Sequence, residues 1–252
     1  MILLVRLLPF LTGAAAFVGF EYLLRVPRHL FVIGPLVLGI VVAGVVLITR
    51  PLSRTTALVV VPPALLVMGA LGFVLFPDQP LVRHLVTVGV AVLLWVYGEQ
   101  LFAFQFRTES YQAFAIENIS AYVNIVSVFL IASALFGFRF FLGLRAWVLM
   151  LGLTATLFVT ALHTFAIGKV EFRRALASAG LLTLLGTEVA IALFILPADH
   201  YVNGLLIATF FYVTMNLTHY ELRSTLDRAR LQRYVLTGLF VVVLTLLTAS
   251  WR

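Results

Sequence analysis

Apolar runs long enough to cross a lipid bilayer follow one another along this chain, with only short connectors between them. The runs are roughly 18 to 22 residues long, and helices of that length cover the ~30 Å hydrocarbon core of a membrane. No long stretch remains for a soluble domain, so the sequence predicts an all-α, polytopic membrane bundle with a single membrane domain over residues 1–252. We count nine spans: 3–24, 30–49, 56–76, 82–98, 117–137, 145–166, 175–196, 201–219 and 234–250.

The charge content agrees with a membrane location. Charged residues make up 11% of the chain, whereas about a quarter of the residues in a soluble domain are charged. The net charge of +7 comes mainly from arginines in the short connectors, where positive charge fixes orientation and meets anionic head groups. We therefore predict the lipid bilayer as a partner and no binding of nucleic acid. The chain has no cysteine, which excludes disulfides, thiolate metal sites and a cysteine nucleophile.

Orientation is predicted from the first apolar run and from the connectors. The first run continues past Ala16 to Leu24, so we expect a first transmembrane helix rather than a cleaved signal. With the N-terminus inside, lysine and arginine divide eleven to six between the inner and outer connectors. This bias predicts a cytoplasmic N-terminus and an external C-terminus.

Polarity divides the chain into two parts. Residues 1–80 are almost free of polar side chains at mid-depth and are predicted to be scaffold helices, whose glycines mark close helix packing. Residues 97–233 carry most of the polar side chains that could lie at membrane depth. Any chemistry or partner binding is therefore expected in this second part.

The stretch after the fourth span has two interpretations. If the span continues as a helix to Gln105, Glu99 is embedded in the membrane and is functional by default. Alternatively, Leu101–Ile116 leaves the bilayer as an interfacial loop or a small β-hairpin, since alternating residues would set Phe104 opposite Phe114 across two strands. The aromatic side chains predicted to contact a partner are Phe102, Phe104 and Phe114.

Polar residues recur at offsets of three and four on the fifth, sixth and eighth spans, which places them on one face of each helix. Because such stripes turn away from lipid, we predict that spans five to eight surround a polar cavity. The predicted orientation opens that cavity to the cytoplasm. The candidate cavity residues are Glu99, Glu117, Asn124, His163, Glu188, Asn216 and His219, with Arg107, Arg173, Arg174 and Arg223 at the rim.

Each candidate also has a purely structural interpretation. Glu117 is well placed to cap the fifth helix, His163 to bond a neighbouring helix, and His219 to lie among lipid head groups. Glu188 is equally consistent with a proton or ion site and with a neutral carboxyl that joins two helices. Two histidines without an HExxH motif or further ligands do not make a metal site, so we predict no metal and no cofactor.

Three functional hypotheses fit this pattern. The first is a non-enzymatic subunit or docking partner of a membrane assembly, which binds another protein or a second copy through Leu101–Ile116 and Glu221–Arg233. The second is a small proton-linked transporter, or a lipid- or ion-handling protein, that uses the polar cavity. The third is an intramembrane enzyme acting on lipid-linked substrates through Glu99 and Glu117. The sequence has no glycine-rich phosphate loop and no GxSxG motif, which favours the non-enzymatic hypotheses.

The tail from Leu196 carries a family resemblance. It rests on the turn Tyr201-Val202-Asn203-Gly204, the amphipathic link Glu221–Arg233 and the closing Ser250-Trp251. In these features the tail resembles the C-terminal part of uncharacterised multi-pass membrane proteins of candidate-phylum bacteria. The resemblance implies a bacterial inner membrane and no particular activity.

Overall fold

The structure is a computed structural model that describes residues 2–49, 54–107, 111, 112 and 114–249, without the side chains of 2–4 and 54–57. Over these residues the chain forms nine α-helices, one short 3-10 helix and no strand. The helices are α1 (Ile2–Arg25), α2 (Leu30–Ile48), α3 (Arg54–Phe73), α4 (Pro80–Phe106), α5 (Ala115–Leu142), α6 (Ala146–Ile167), α7 (Phe172–Ile195), α8 (His200–Leu222) and α9 (Arg228–Thr248), and the 3-10 helix Pro27–His29 joins α1 to α2.

Among the described residues, seven of the helices are long and apolar enough to cross a membrane. The all-α, multi-pass prediction is confirmed to that extent, and the prediction of nine spans in part. The two helices outside the seven are α3, whose described apolar part Leu58–Phe73 is shorter, and α8. Helix α8 carries polar side chains such as Asn203 and Asn216 within its length.

The predicted β-hairpin over Leu101–Ile116 is wrong. Helix α4 continues to Phe106, and α5 begins at Ala115, so both proposed strands start or end within a helix. The alternation of phenylalanines fits a strand, but an α-helix satisfies every backbone group within its own segment, which the bilayer demands. The longer α4 agrees with the other interpretation, in which Glu99 lies inside a helix.

The chain separates into two compact units, Met1–Ser127 and Val128–Arg252, with the boundary inside α5. In the first unit α1 packs against α2 and α4, and α3 packs against α2 and α4. In the second unit α7 packs against α6 and α8, and α9 packs against α8. The single membrane domain stays a prediction.

Two prolines lie within α3, and a side chain of the first unit compensates for one of them. Pro62 and Pro63 are interior residues of the helix, and a proline cannot donate to the carbonyl four residues earlier. For Pro63 that carbonyl belongs to Val59, which instead accepts a hydrogen bond from the buried hydroxyl of Tyr97 at 2.7 Å. A side chain of α4 thus satisfies a backbone group that the proline leaves without its helical partner.

Candidate functional site

Three helix ends in the second unit enclose a pocket with a partly polar lining, which we call the polar pocket. Helix α5 ends beside Gly143, whose left-handed φ of 64° reverses the chain, and the Gly143 N–H donates to the Arg139 carbonyl at 3.0 Å. The pocket has a volume of about 310 Å³. Its lining is Phe136, Arg139, Phe140, Gly143, Phe194, Leu196, Ala198, His200 and Asn203.

Helices α5 and α8 approach each other closely beside this pocket. A Cβ atom at Gly204 would lie 2.0 Å from the Ser133 hydroxyl and 2.8 Å from the Ser133 backbone nitrogen. Only glycine allows two helix backbones to come this near. Because Asn203 directly precedes Gly204, this crossing fixes Asn203 in the pocket wall.

Arg139 supplies positive charge to the polar pocket. Its guanidinium carbon lies 3.6 Å from the centroid of the Phe194 ring, a cation–π contact between the ends of α5 and α7. No carboxylate in the described part of the chain forms an ion pair with Arg139. Its charge therefore remains available to an anionic group in the pocket.

The start of α8 adds buried polar groups. Asn203 is 5% exposed; its Nδ2 donates to the Ala198 carbonyl at 3.5 Å, and its Oδ1 has no hydrogen-bond partner among the described residues. His200, also buried, pairs through Nδ1 with the Asp199 carboxylate. The Asp199 side chain does not cap the helix, and the first N–H groups of a helix have no partner within it. The cation and the helix start suit a ligand group that carries negative charge, whereas the free Asn203 Oδ1 suits a hydrogen-bond donor of the same ligand.

A second depression in the same unit, which we call the apolar groove, runs between α7, α8 and α9. Its volume is about 520 Å³. Two threonines line it, yet their hydroxyls donate to their own helix, Thr209 to Leu205 at 2.8 Å and Thr214 to Phe210 at 2.7 Å, so they add little polarity. The lining is Val189, Leu193, Leu196, Leu206, Thr209, Phe210, Val213, Thr214, Val235, Gly238, Leu239, Val242 and Leu246.

The polar pocket and the apolar groove meet at one residue. Leu196, directly after the end of α7, lines both. The groove residues of α9 extend from Val235 to Leu246, which is about 16 Å at the helical rise of ~1.5 Å per residue. That length is about half of the ~30 Å hydrocarbon core. A charged pocket at helix ends therefore shares one wall residue with an apolar groove about one leaflet deep.

No family model, curated protein or solved structure matches this chain. The resemblance of the tail from Leu196 to multi-pass bacterial proteins stays a prediction, and so does the bacterial inner membrane that it implies. The function of the site therefore has to be inferred from its geometry.

Of the predicted cavity residues, three lie in the first unit. Glu99 is half-buried, and the Trp95 indole N–H donates to its Oε1 at 3.3 Å. Glu117 lies in the first turn of α5, where the capping interpretation put it, and its Oε2 has no hydrogen-bond partner in the described structure. Asn124 is fully buried.

Tyr111 precedes α5 and contacts its first turn. Its hydroxyl accepts a hydrogen bond from the Ile116 N–H at 2.9 Å and lies beside the Glu117 carboxyl. Burial raises the pKa of Tyr111, and the charge of Glu117 acts in the same direction, while the Ile116 hydrogen bond opposes both. The sequence did not single out this tyrosine.

The other four cavity candidates lie in the second unit. His163 is buried, and the Asn216 Nδ2 donates to the Tyr212 carbonyl of its own helix at 2.7 Å. His219 contacts the end of α6, since a Cβ at Gly168 would lie 2.7 Å from its Cε1. Glu188 is exposed. It lines neither the polar pocket nor the apolar groove.

The rim arginines are all exposed. Arg107 follows α4, with its guanidinium carbon 5.7 Å from the Phe102 ring centroid. Arg223 donates to the Gly168 carbonyl at 3.0 Å, beside His219. Arg173 lies in the first turn of α7, and Arg174 pairs with Glu171 at 3.4 Å. Convergence of the seven candidates and these arginines on one cavity stays a prediction.

The aromatic residues predicted to contact a partner differ in exposure. Phe102 is buried at 3% exposed, with its ring 5.0 Å from that of Phe106, and is not available to a partner. Phe104 and Phe114 are 42% and 54% exposed. Only these two remain candidates for partner contact.

Sequence reasoning missed the polar pocket. Arg139 and His200 were not among the residues singled out from the sequence, and Asn203 was named only as part of the family resemblance. A usable signal was present, because the Arg139–Arg145 connector and the Pro197–His200 turn lie on the same predicted side of the membrane. Both carry charged or polar residues at the ends of apolar helices.

Proposed function

We propose that this protein binds a phosphate-bearing membrane lipid, without enzymatic chemistry, in the polar pocket and the apolar groove of its second unit. This is the lipid-handling form of the second hypothesis from the sequence. The observation that supports it best is the shared wall at Leu196. A lipid joins a charged head group to an apolar acyl chain, which matches a charged pocket that shares a wall with an apolar groove.

The phosphate is assigned to Arg139 and the start of α8. Guanidinium groups form strong, charge-assisted hydrogen bonds to phosphate oxygens, and a helix N-terminus favours the same charge. The Asn203 Oδ1 has no partner among the described residues and would accept a hydrogen bond from a hydroxyl or ammonium of the head group. With the predicted orientation, the bound lipid belongs to the outer leaflet.

Native mass spectrometry of the full chain tests this proposal. The protein is purified in a phosphate-free detergent and titrated with phosphatidylglycerol, with a neutral diacylglycerol and with inorganic phosphate. We expect one phosphatidylglycerol to be retained and Arg139→Gln to bind it about tenfold more weakly, because hydrogen bonds to charged groups contribute roughly 1.5–3 kcal/mol. Val242→Trp, which fills the groove, should weaken binding of the lipid but leave any binding of inorganic phosphate unchanged.

Arg145→Gln is the matched control, since Arg145 is an exposed arginine just after the same end of α5. It should retain lipid like the parent. Equal retention of phosphatidylglycerol and diacylglycerol by the parent and by Arg139→Gln would indicate boundary lipid only and overturn the proposal. Binding of inorganic phosphate without lipid would also overturn it.

A subunit or docking role is the second candidate, and the exposure of Phe104 and Phe114 favours it. Phe104 contacts the half-buried Tyr111, with their ring centroids 5.2 Å apart, where α4 ends and α5 begins. Photo-crosslinking from position 114 in native membranes tests this role. A specific crosslinked protein that disappears with Phe104→Ala would support it, and crosslinks to lipid alone would count against it.

A further inference from the structure

Helix α7 exposes a carboxyl group well inside its span. Glu188 lies seven residues before the last residue of the helix, about 10 Å along its axis. No residue in the described part of the chain forms a hydrogen bond or ion pair with it. An unpaired carboxyl at this depth is costly in lipid and is expected to find a partner.

The opposite face of α7 is already occupied. Its buried residues include Ala175, Ala179, Gly186 and Ala190, small side chains that allow close helix packing. At about 3.6 residues per turn, Gly186 and Ala190 point about 160° away from Glu188. The Glu188 face therefore lies away from the packing of α7 within its own unit.

The exposed face has the spacing of a helix-pairing seam. Leu181, Leu184, Glu188, Ile191 and Ile195 follow one another at offsets of three, four, three and four. The four apolar members are 60%, 59%, 52% and 80% exposed. This is the a/d pattern of a left-handed helix pair, in which one polar residue among apolar ones fixes the register.

A seam with one carboxyl in its middle is complementary to itself. A neutral carboxyl carries one O–H donor and one carbonyl acceptor, so two of them can hydrogen-bond to each other. Copies of one chain insert in the same orientation, and a two-fold axis along the membrane normal sets each residue opposite its own equivalent. Left-handed crossings of this kind are common between transmembrane helices.

We propose that residues 181–195 of α7 form a symmetric interface with the same segment of a second copy, in which the two Glu188 carboxyls hydrogen-bond to each other. This interface is separate from the lipid site, because Glu188 and the seam residues do not line the apolar groove. Failure of the protein to dimerise can therefore be distinguished from failure to bind lipid.

Disulfide crosslinking tests the interface in membranes, because the chain has no cysteine of its own. Single variants Leu184→Cys and Ile191→Cys should give a crosslinked dimer on mild oxidation, in at least about fivefold higher yield than two controls. The controls are Leu151→Cys on α6 and Leu236→Cys on α9, whose parent residues are 64% and 63% exposed. Equal yields at all four positions, or crosslinks only to other proteins, would overturn the proposal.

Glu188 variants test the central pair. Fluorescence transfer between labelled copies in diluted micelles should show dissociation about tenfold more readily for Glu188→Leu, the effect expected for loss of an interhelical hydrogen bond. Glu188→Gln should associate like the parent, because an amide also carries both a donor and an acceptor. Helical circular dichroism checks that both variants fold. Equal association of Glu188→Leu and the parent would refute the carboxyl pair, and a monomeric parent would refute the dimer.

Discussion

Two carboxyl groups lie within the membrane spans of α1 and α7, and the protein treats them differently. In the first unit the Glu21 Oε1 lies 2.9 Å from the His84 Nδ1 and accepts a hydrogen bond from the Thr87 hydroxyl at 2.8 Å. In the second unit Glu188 is exposed, and no hydrogen bond or ion pair to it exists among the described residues. The difference indicates that Glu188, unlike Glu21, needs a hydrogen-bond partner from outside its own chain.

The contrast extends beyond these two side chains. Within helices α1 to α4, the Thr87 hydroxyl donates a hydrogen bond to the Glu21 carboxyl. The Tyr97 hydroxyl donates to the Val59 carbonyl, which Pro63 leaves without its helical partner. The second unit leaves the Asn203 Oδ1 without a partner in the described structure, beside Arg139, with which no described carboxylate forms an ion pair. In the first unit the Glu117 Oε2 also has no described partner, but it lies on α5 and not on α1 to α4. We infer that the first four helices are scaffold and that the second unit carries the binding surfaces.

The largest effect is expected where the second unit brings two backbones together. Gly204→Ala should lower the free energy of unfolding by about 3 kcal/mol, because the new Cβ would overlap Ser133 backbone atoms that cannot move aside. Thermal unfolding in detergent measures the loss. Gly39→Ala in the first unit is the control, since nothing lies within 4 Å of its added Cβ. Equal stability of the two variants would show that the α5–α8 crossing is looser than described.

The two carboxyls should respond differently to the same change. Glu21→Leu leaves the His84 ring without its carboxyl partner, while the Thr87 hydroxyl keeps the His84 carbonyl as an acceptor at 2.9 Å, so the change should cost about 1.5 kcal/mol. Glu188→Leu removes no hydrogen bond within the described part of one chain and should leave the unfolding of the monomer unchanged. Chemical denaturation at a protein concentration below dimerisation compares them. A larger loss for Glu188→Leu would reverse the comparison.

The smallest effect concerns single hydroxyl groups. Tyr97→Phe removes the hydrogen bond to the Val59 carbonyl and should cost about 1 kcal/mol. Thr183→Val in the second unit removes a buried hydroxyl that has no partner among the described residues, so stability should stay equal or rise. Unfolding curves of both variants against the parent make this test. A loss for Thr183→Val would mean that its hydroxyl is bonded after all.

The helices and the polar stripes could be predicted because they depend on local spacing. Ser120 and Asn124 of the α5 stripe are fully buried, as offsets of three and four require of polar residues in a membrane helix. The β-hairpin over Leu101–Ile116, one of the interpretations left open, was wrong because alternating phenylalanines suit both a strand and a helix locally. The helix is favoured because backbone groups in the bilayer core must form hydrogen bonds within their own segment.

Two features of the second unit could not be predicted from the local spacing of residues. The polar pocket joins Arg139 to Asn203, which are far apart in sequence, through the crossing at Gly204. Glu188 was predicted to line a cavity, which stays a prediction; the structure adds that Gly186 and Ala190 are buried on the opposite face of α7 and that Glu188 is exposed. The small residues on the face opposite Glu188 were a readable signal, since such residues mark where membrane helices pack.

An experimental structure of the full chain in a phosphatidylglycerol nanodisc tests the central claim most directly. The account predicts one ordered lipid in the second unit, with its phosphate at Arg139 and one acyl chain along the apolar groove past Leu196, and no ordered lipid head among α1 to α4. A pocket without a phosphate, or ordered lipid heads bound equally by both units, would contradict the division between scaffold and binding unit.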